Sequence, residues 1–174
     1  MESLYERFVN SFSAWASSAG IPRFVNHHSW IWPACETIHF YGLCLLIGAV
    51  GAFDLRLLGL AKGLPVAPLK RLLRWGVLGF VLCLGTGIVF VTGNAFSTGE
   101  YFRNYSFLWK MLFIVAAGIN LLVFHLTGTA RAVETLGPEE DAPPLAKVVG
   151  AASLILWVGV IFFGRFLPVI GDAF

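Results

Sequence analysis

The stretch PACETIHFYGLCLLIGAVGAFDLRLLGL, Pro33 to Leu60, decides how the chain folds. Between Glu36 and Asp54 lie seventeen residues without a formal charge. At about 1.5 Å per residue, that run crosses most of a ~30 Å hydrocarbon layer. It reads as a membrane-spanning helix. His39 lies inside it, three residues after Glu36, so at about 100° per residue the two share a face and point at one neighbour. An ionisable pair within a span marks a functional site by default, because either group in lipid is costly unless a partner offsets it.

Outward on the amino side, Met1 to Gly20 carries Glu2, Glu6 and Arg7 and has no continuous apolar core, so it is not a signal peptide. Leu4, Phe8, Phe12 and Trp15 recur at helical spacing, which predicts an amphipathic helix over 1–20, lying on the membrane or against the protein itself. Pro22 and Pro33 are breakers. Trp30 and Trp32 mark an interfacial aromatic belt, which sets His27 and His28 close to a membrane surface.

On the carboxyl side, a connector with Pro65 and Pro68 leads to an uncharged run of twenty-five residues from Trp75 to Gly99, rich in glycine. A short polar link follows from Glu100. The next uncharged run, Met111 to Ala130, contains Asn120 and His125. The acidic, proline-rich ETLGPEEDAPP reads as a loop, and Val148 to Gly164 forms a last span. The expected fold is all-α: one integral membrane domain over 1–174, a four-helix bundle with spans about 33–58, 75–97, 107–130 and 146–167, preceded by the amphipathic helix.

Composition agrees. With 57% hydrophobic and 13% charged residues in 174, the chain lies outside the soluble class and calls for a lipid bilayer as its solvent. A net charge of +2 and the lack of any long basic run exclude nucleic acid as a partner. Cys35, Cys44 and Cys83 show no metal or redox spacing and read as packing residues, with Cys44 and Cys83 at similar depth on neighbouring helices. Seven of the twelve basic residues (Arg56, Lys62, Lys70, Arg71, Arg74, Arg131 and Lys147) fall on one side of the spans. By the positive-inside rule, that side faces the cytoplasm of a bacterial inner membrane and both termini are periplasmic. No internal repeat supports a transporter of inverted halves.

In this topology His39 lies about one turn below the outer boundary, whereas His125 is roughly 20 Å from that side. One iron cannot take both, so two separate sites are the simpler reading. The outer site gathers His27, His28, Glu36, His39, Arg23, Arg103, Lys110 and Arg165: imidazoles for an iron and cations for porphyrin propionates. Glu36 can instead fix the tautomer of a ligating imidazole. Each residue also has a plain structural reading. His39 can be a core imidazole, His125 a helix-end cation, and Lys110, Arg103 and Arg165 snorkelling anchors. Asp54 with Arg56 reads as an interfacial charge pair closing the first span. Asn120, Thr86 and Ser153 read as interhelical hydrogen-bonding residues.

The pieces IHFYGL (38–43), DLRLLGL (54–60), GFVLCLGTG (79–87), FLWK (107–110) and NLLVFH (120–125) together resemble a family of uncharacterised bacterial four-helix inner-membrane proteins. The likeness covers about residues 30–130, and DLRLLG is its most specific part. More distantly, a first-helix histidine with a third-helix lysine, His39 and Lys110, is similar to the membrane haem-b group that includes the oxygen-independent protoporphyrinogen oxidase and the copper-resistance permease domain. That likeness rests on helix count and two residue types.

Three functions follow as expectations. The first is a cytochrome b-like electron-transfer protein with haem b, one or two per chain, which exchanges electrons with a redox partner or a quinone. Its ligand candidates are His39, His28 or His27, and His125. The second is a membrane oxidoreductase acting on a porphyrin or quinone at His39 and Lys110. The third is a non-enzymatic accessory or transport module using Glu36, His39 and Asp54. The many aromatic residues, sixteen of them Phe, also offer surface for a homo-oligomer.

Overall fold

A computed structural model describes residues 3–93 and 98–169 of the chain. Among these, eight helices and no strand are found: α1 (Leu4–Ser18), α2 (Ile21–His27), α3 (Ile31–Leu57), α4 (Val66–Thr92), α5 (Thr98–Arg103), α6 (Tyr105–Leu126), α7 (Thr129–Ala132) and α8 (Pro144–Arg165). Four of them, α3, α4, α6 and α8, are long and apolar enough to cross a membrane. Between 17% and 28% of each span is buried inside the protein, so most of its apolar surface needs lipid. The protein is a multi-pass membrane protein built as an all-α four-helix bundle.

Two boundaries differ from those expected. Helix α4 begins at Val66 rather than near 75, because Lys70, Arg71 and Arg74 continue the helix instead of ending it. Charge marks where the apolar layer stops, not where backbone hydrogen bonding stops. The last residues assigned to that span, 94–97, lie outside the described residues. The polar link after Glu100 is itself helical as α5, and Asn104 caps α6 by accepting from the amides of Ser106 and Phe107 at 2.8 and 3.3 Å. Lys110 therefore sits in the second turn of a spanning helix.

Helices α3 and α4 form the tightest pair. A Cβ on Gly79 would lie 2.7 Å from the Leu46 amide nitrogen, and one on Gly42 would lie 2.8 Å from both the Gly79 carbonyl and Cys83 Sγ. Small residues thus bring the two backbones into contact, where dispersion replaces the hydrophobic drive that lipid removes. Cys83 faces Gly42 in this seam, while Cys44 is exposed. Helices α6 and α8 form the second pair, tied by Asn120 Nδ2 donating to the Val149 carbonyl at 3.0 Å. Gly150 of α8 packs on Leu57 and joins the pairs.

At the end away from the termini, DLRLLGL closes α3. The Gly59 amide bonds to the Arg56 carbonyl and the Leu60 amide to the Leu55 carbonyl, with Gly59 at φ +85, a left-handed cap that glycine adopts at least cost. Arg56 is 0% exposed and makes no ion pair with Asp54. It donates to the carbonyls of Leu64 (2.7 Å), Gly137 (2.8 Å) and Glu140 (3.2 Å), clasping the α3–α4 loop to the acidic loop. Residues two apart on a helix point to nearly opposite faces, so Asp54 instead meets Ser153 of α8. Lys62 and Lys147 both pair with Asp141 at 3.0 Å, and the Glu139 amide bonds to the Lys62 carbonyl. The acidic segment is an ordered strap over an apolar cluster of Phe53, Leu57, Val66, Phe124, Val133 and Ala146.

At the other end α1 packs on α5. Phe8 and Phe12 meet Phe102 edge-on at 5.8 and 5.3 Å, the Tyr5 hydroxyl bonds to the Phe102 carbonyl, and Arg103 pairs with Glu6 at 2.7 Å. Val9 and Ala16 are wholly buried, whereas Leu4 and Trp15 are 82% and 55% exposed. The helix is amphipathic and docked on the protein by one side.

Candidate functional site

The α3–α4 seam brings His39 to Thr86. His39 Nδ1 lies 2.7 Å from Thr86 Oγ1. The threonine hydroxyl has one proton and lies 2.7 Å from the Leu82 carbonyl one turn back, so it donates there and accepts from the imidazole. That assigns the Nδ1–H tautomer, in which Nε2 carries the lone pair, and the Cys83 backbone also hydrogen-bonds to the ring. Cys83 adds a long contact from Sγ to the His39 carbonyl at 3.5 Å, and the Phe90 ring packs 5.4 Å from the imidazole.

Lys110 completes the group from α6. Its side chain runs across Gly164 of α8, where a Cβ would sit 3.5 Å from Nζ. Its ammonium lies within electrostatic range of both His39 and Cys83. No hydrogen bond or ion pair of Lys110 occurs among the described residues. His39, Thr86 and Lys110 lie within about two turns of the same ends of their helices, so three spans deliver an imidazole, a hydroxyl and an ammonium to one level.

The other residues singled out from the sequence are placed elsewhere. Glu36 is exposed and its Oε1 accepts from the Trp32 indole at 3.1 Å, so the spacing that puts Glu36 and His39 on one face does not pair them. An indole one turn back satisfies the carboxylate while His39 turns to α4. His28 Nδ1 is bound to the Phe24 carbonyl at 2.9 Å and its ring lies against His27, with centroids 5.1 Å apart. No hydrogen bond or ring contact joins either to His39 among the described residues. Arg103 is held by Glu6, Asn10 and Glu100, and this guanidinium draws the Glu6 carboxyl below the usual carboxylate range. Arg165 lies exposed in the last turn of α8. His125 lies exposed in the last turn of α6, at the opposite end of the bundle from His39.

A haem asks for an imidazole with a free nitrogen, a cation for a propionate and an apolar face to lie on. His39 meets the first demand, with Thr86 as the partner that orients a ligating ring. Lys110 meets the second. Phe90 and the open surface beside Gly87, where a Cβ would find nothing within 4 Å, offer the third on the lipid side of the seam. Among the described residues no group of three or more His, Cys, Asp or Glu side chains is placed to hold a bare metal ion. Comparison with protein-family models, curated proteins and solved structures finds no match to this chain.

Thr86 was legible as a polar residue in an uncharged span. Its role as the partner of His39 was not, because the two are 47 positions apart.

Proposed function

We propose that the protein binds haem b in the membrane and passes electrons, with His39 as the axial imidazole and Lys110 as the cation for a porphyrin carboxylate. One observation carries this reading: an imidazole tied through Nδ1 to Thr86, with its lone pair on Nε2, within electrostatic reach of an ammonium that pairs with no acid among the described residues. Haem, when bound, supplies a one-electron couple, and the chain's share is to orient the ring, pair the carboxylate and exclude water. His28, whose Nδ1 is likewise satisfied, is assigned as the second imidazole at the same end. The exposed His125 has no comparable setting, so the proposal keeps to one haem. On the positive-inside reading the haem lies toward the periplasmic side of a bacterial inner membrane.

Lys110, without an ion pair among the described residues, also favours a second reading, in which the same imidazole and ammonium act on a porphyrin or quinone as substrate. The absorption spectrum of detergent-purified protein, oxidised and dithionite-reduced, tests the first. A Soret band that His39→Ala removes supports it, and colourless, iron-free protein rejects it. Turnover of an added porphyrin or quinone, lost in Lys110→Met, selects the second.

A further inference from the structure

At the bundle end far from His39, α4 enters the apolar layer through a basic cleft. Lys70, Arg71 and Arg74 line a cavity of about 390 Å³ together with Val66, Ala67 and Glu134. Ala67, Lys70, Arg71 and Arg74 follow i, i+3, i+4, i+7 spacing and so form one stripe on α4. Lys70 is paired with Glu134, which also feels Arg131. Neither Arg71 nor Arg74 has an ion pair or hydrogen bond among the described residues. Three cations therefore line the cleft with one carboxylate, and among the described residues the two arginines carry donor forks without a partner at the boundary of the apolar layer.

The same stripe continues as Leu78, Val81 and Gly85. Leu78 and Val81 are exposed, and nothing lies within 4 Å of a Cβ on Gly85. From Arg74 to Gly85 is about 16 Å along the helix, close to half of a ~30 Å hydrocarbon core. A basic cleft roomy enough for a phosphate headgroup thus opens onto an apolar track one leaflet deep, on one helix face.

We propose that this face binds an anionic phospholipid, its phosphate on Arg71 and Arg74 and an acyl chain along Leu78, Val81 and Gly85. Two arginine forks match phosphate oxygens bidentately, and the excess of cations selects a net anionic headgroup over a zwitterionic one. The apolar track distinguishes the lipid from a free anion.

The test uses the full chain in neutral detergent, its thermal unfolding followed against dioctanoyl phosphatidylglycerol, dioctanoyl phosphatidylcholine and inorganic phosphate. Phosphatidylglycerol is expected to raise the midpoint, and R71Q/R74Q to need about 30-fold more of it. Gly85→Leu, which fills the track and leaves the charges intact, is expected to weaken the same shift. An equal response to phosphatidylcholine, an equal response to phosphate, or an unchanged R71Q/R74Q would overturn the proposal. Native mass spectrometry of the wild-type protein reads the same point without any variant: retained lipid enriched in the anionic class supports it, and retained lipid of bulk composition rejects it.

Discussion

The imidazole of His39 and the hydroxyl of Thr86 lie 2.7 Å apart across the seam between α3 and α4, and this one contact fixes which ring nitrogen of His39 carries the proton. Thr86→Val keeps the shape of the side chain and removes the acceptor. The ring then loses its orientation, and, on the proposed function, haem affinity is expected to fall about 10–100-fold, as when the hydrogen-bonding partner of a ligating histidine is lost. Thr86→Ser should restore most of it. Haem titration of the apoprotein, read at the Soret band, measures both, and equal affinity for all three proteins would remove Thr86 from the site.

The seam depends on Gly79. A methyl there meets the Leu46 amide nitrogen at 2.7 Å, and backbone cannot step aside as the end of a side chain can. Gly79→Ala is expected to cost about 1–3 kcal/mol or more by overpacking. Gly85→Ala, in open space on the same helix, gains up to ~1 kcal/mol of helix propensity. Thermal unfolding of the two variants in one detergent should move in opposite directions.

Arg56 is the most costly side chain to remove at the other end. Arg56→Leu strands the carbonyls of Leu64, Gly137 and Glu140 in a buried place, for a loss of about 3–5 kcal/mol. Arg56→Lys cannot span three acceptors and should recover less than half. The expected signature is a lower unfolding midpoint, with protease cleavage appearing in both the 58–65 loop and the 134–143 strap. Cleavage in one loop alone would show that they are not clasped together.

Acid should loosen the bundle at both ends. Arg103, by hydrogen bonding, holds the Glu6 carboxyl low, and Lys62 and then Lys147 do the same for Asp141. A carboxyl depressed in the folded state adds stability above its unfolded value and loses it as pH falls through the folded one. Amide exchange in α1 and in the strap, corrected for its intrinsic pH dependence, is therefore expected to rise below about pH 4 while the spans stay protected. Because these pairs are exposed, about 0.5 M salt at neutral pH should weaken them in the same direction. Protection of α1 indifferent to both acid and salt would mean that its aromatic contacts alone dock it.

Much of the fold was written locally. Uncharged runs gave all four spans, because the cost of a charge in lipid is paid residue by residue and leaves its mark in the sequence. Helical spacing gave the amphipathic α1 for the same reason. The start of α4 was read late, since charge maps the edge of the apolar layer and not the hydrogen-bonded helix. The most specific motif, DLRLLGL, proved to be a glycine helix cap with a buried arginine clasp, and its charges face opposite ways.

By itself the sequence determined that this chain lives in a membrane and that His39 and Lys110 lie where charge is expensive. Only the tertiary structure decided that they come to one level of the bundle, that Thr86 and not Glu36 bonds to the imidazole, and that Arg103 of α5 pairs with Glu6 of α1. Burial cost is a property of one segment at a time. Partnership depends on which helices approach closely enough to touch, and here two glycines, Gly42 and Gly79, set that distance far along the chain from one another.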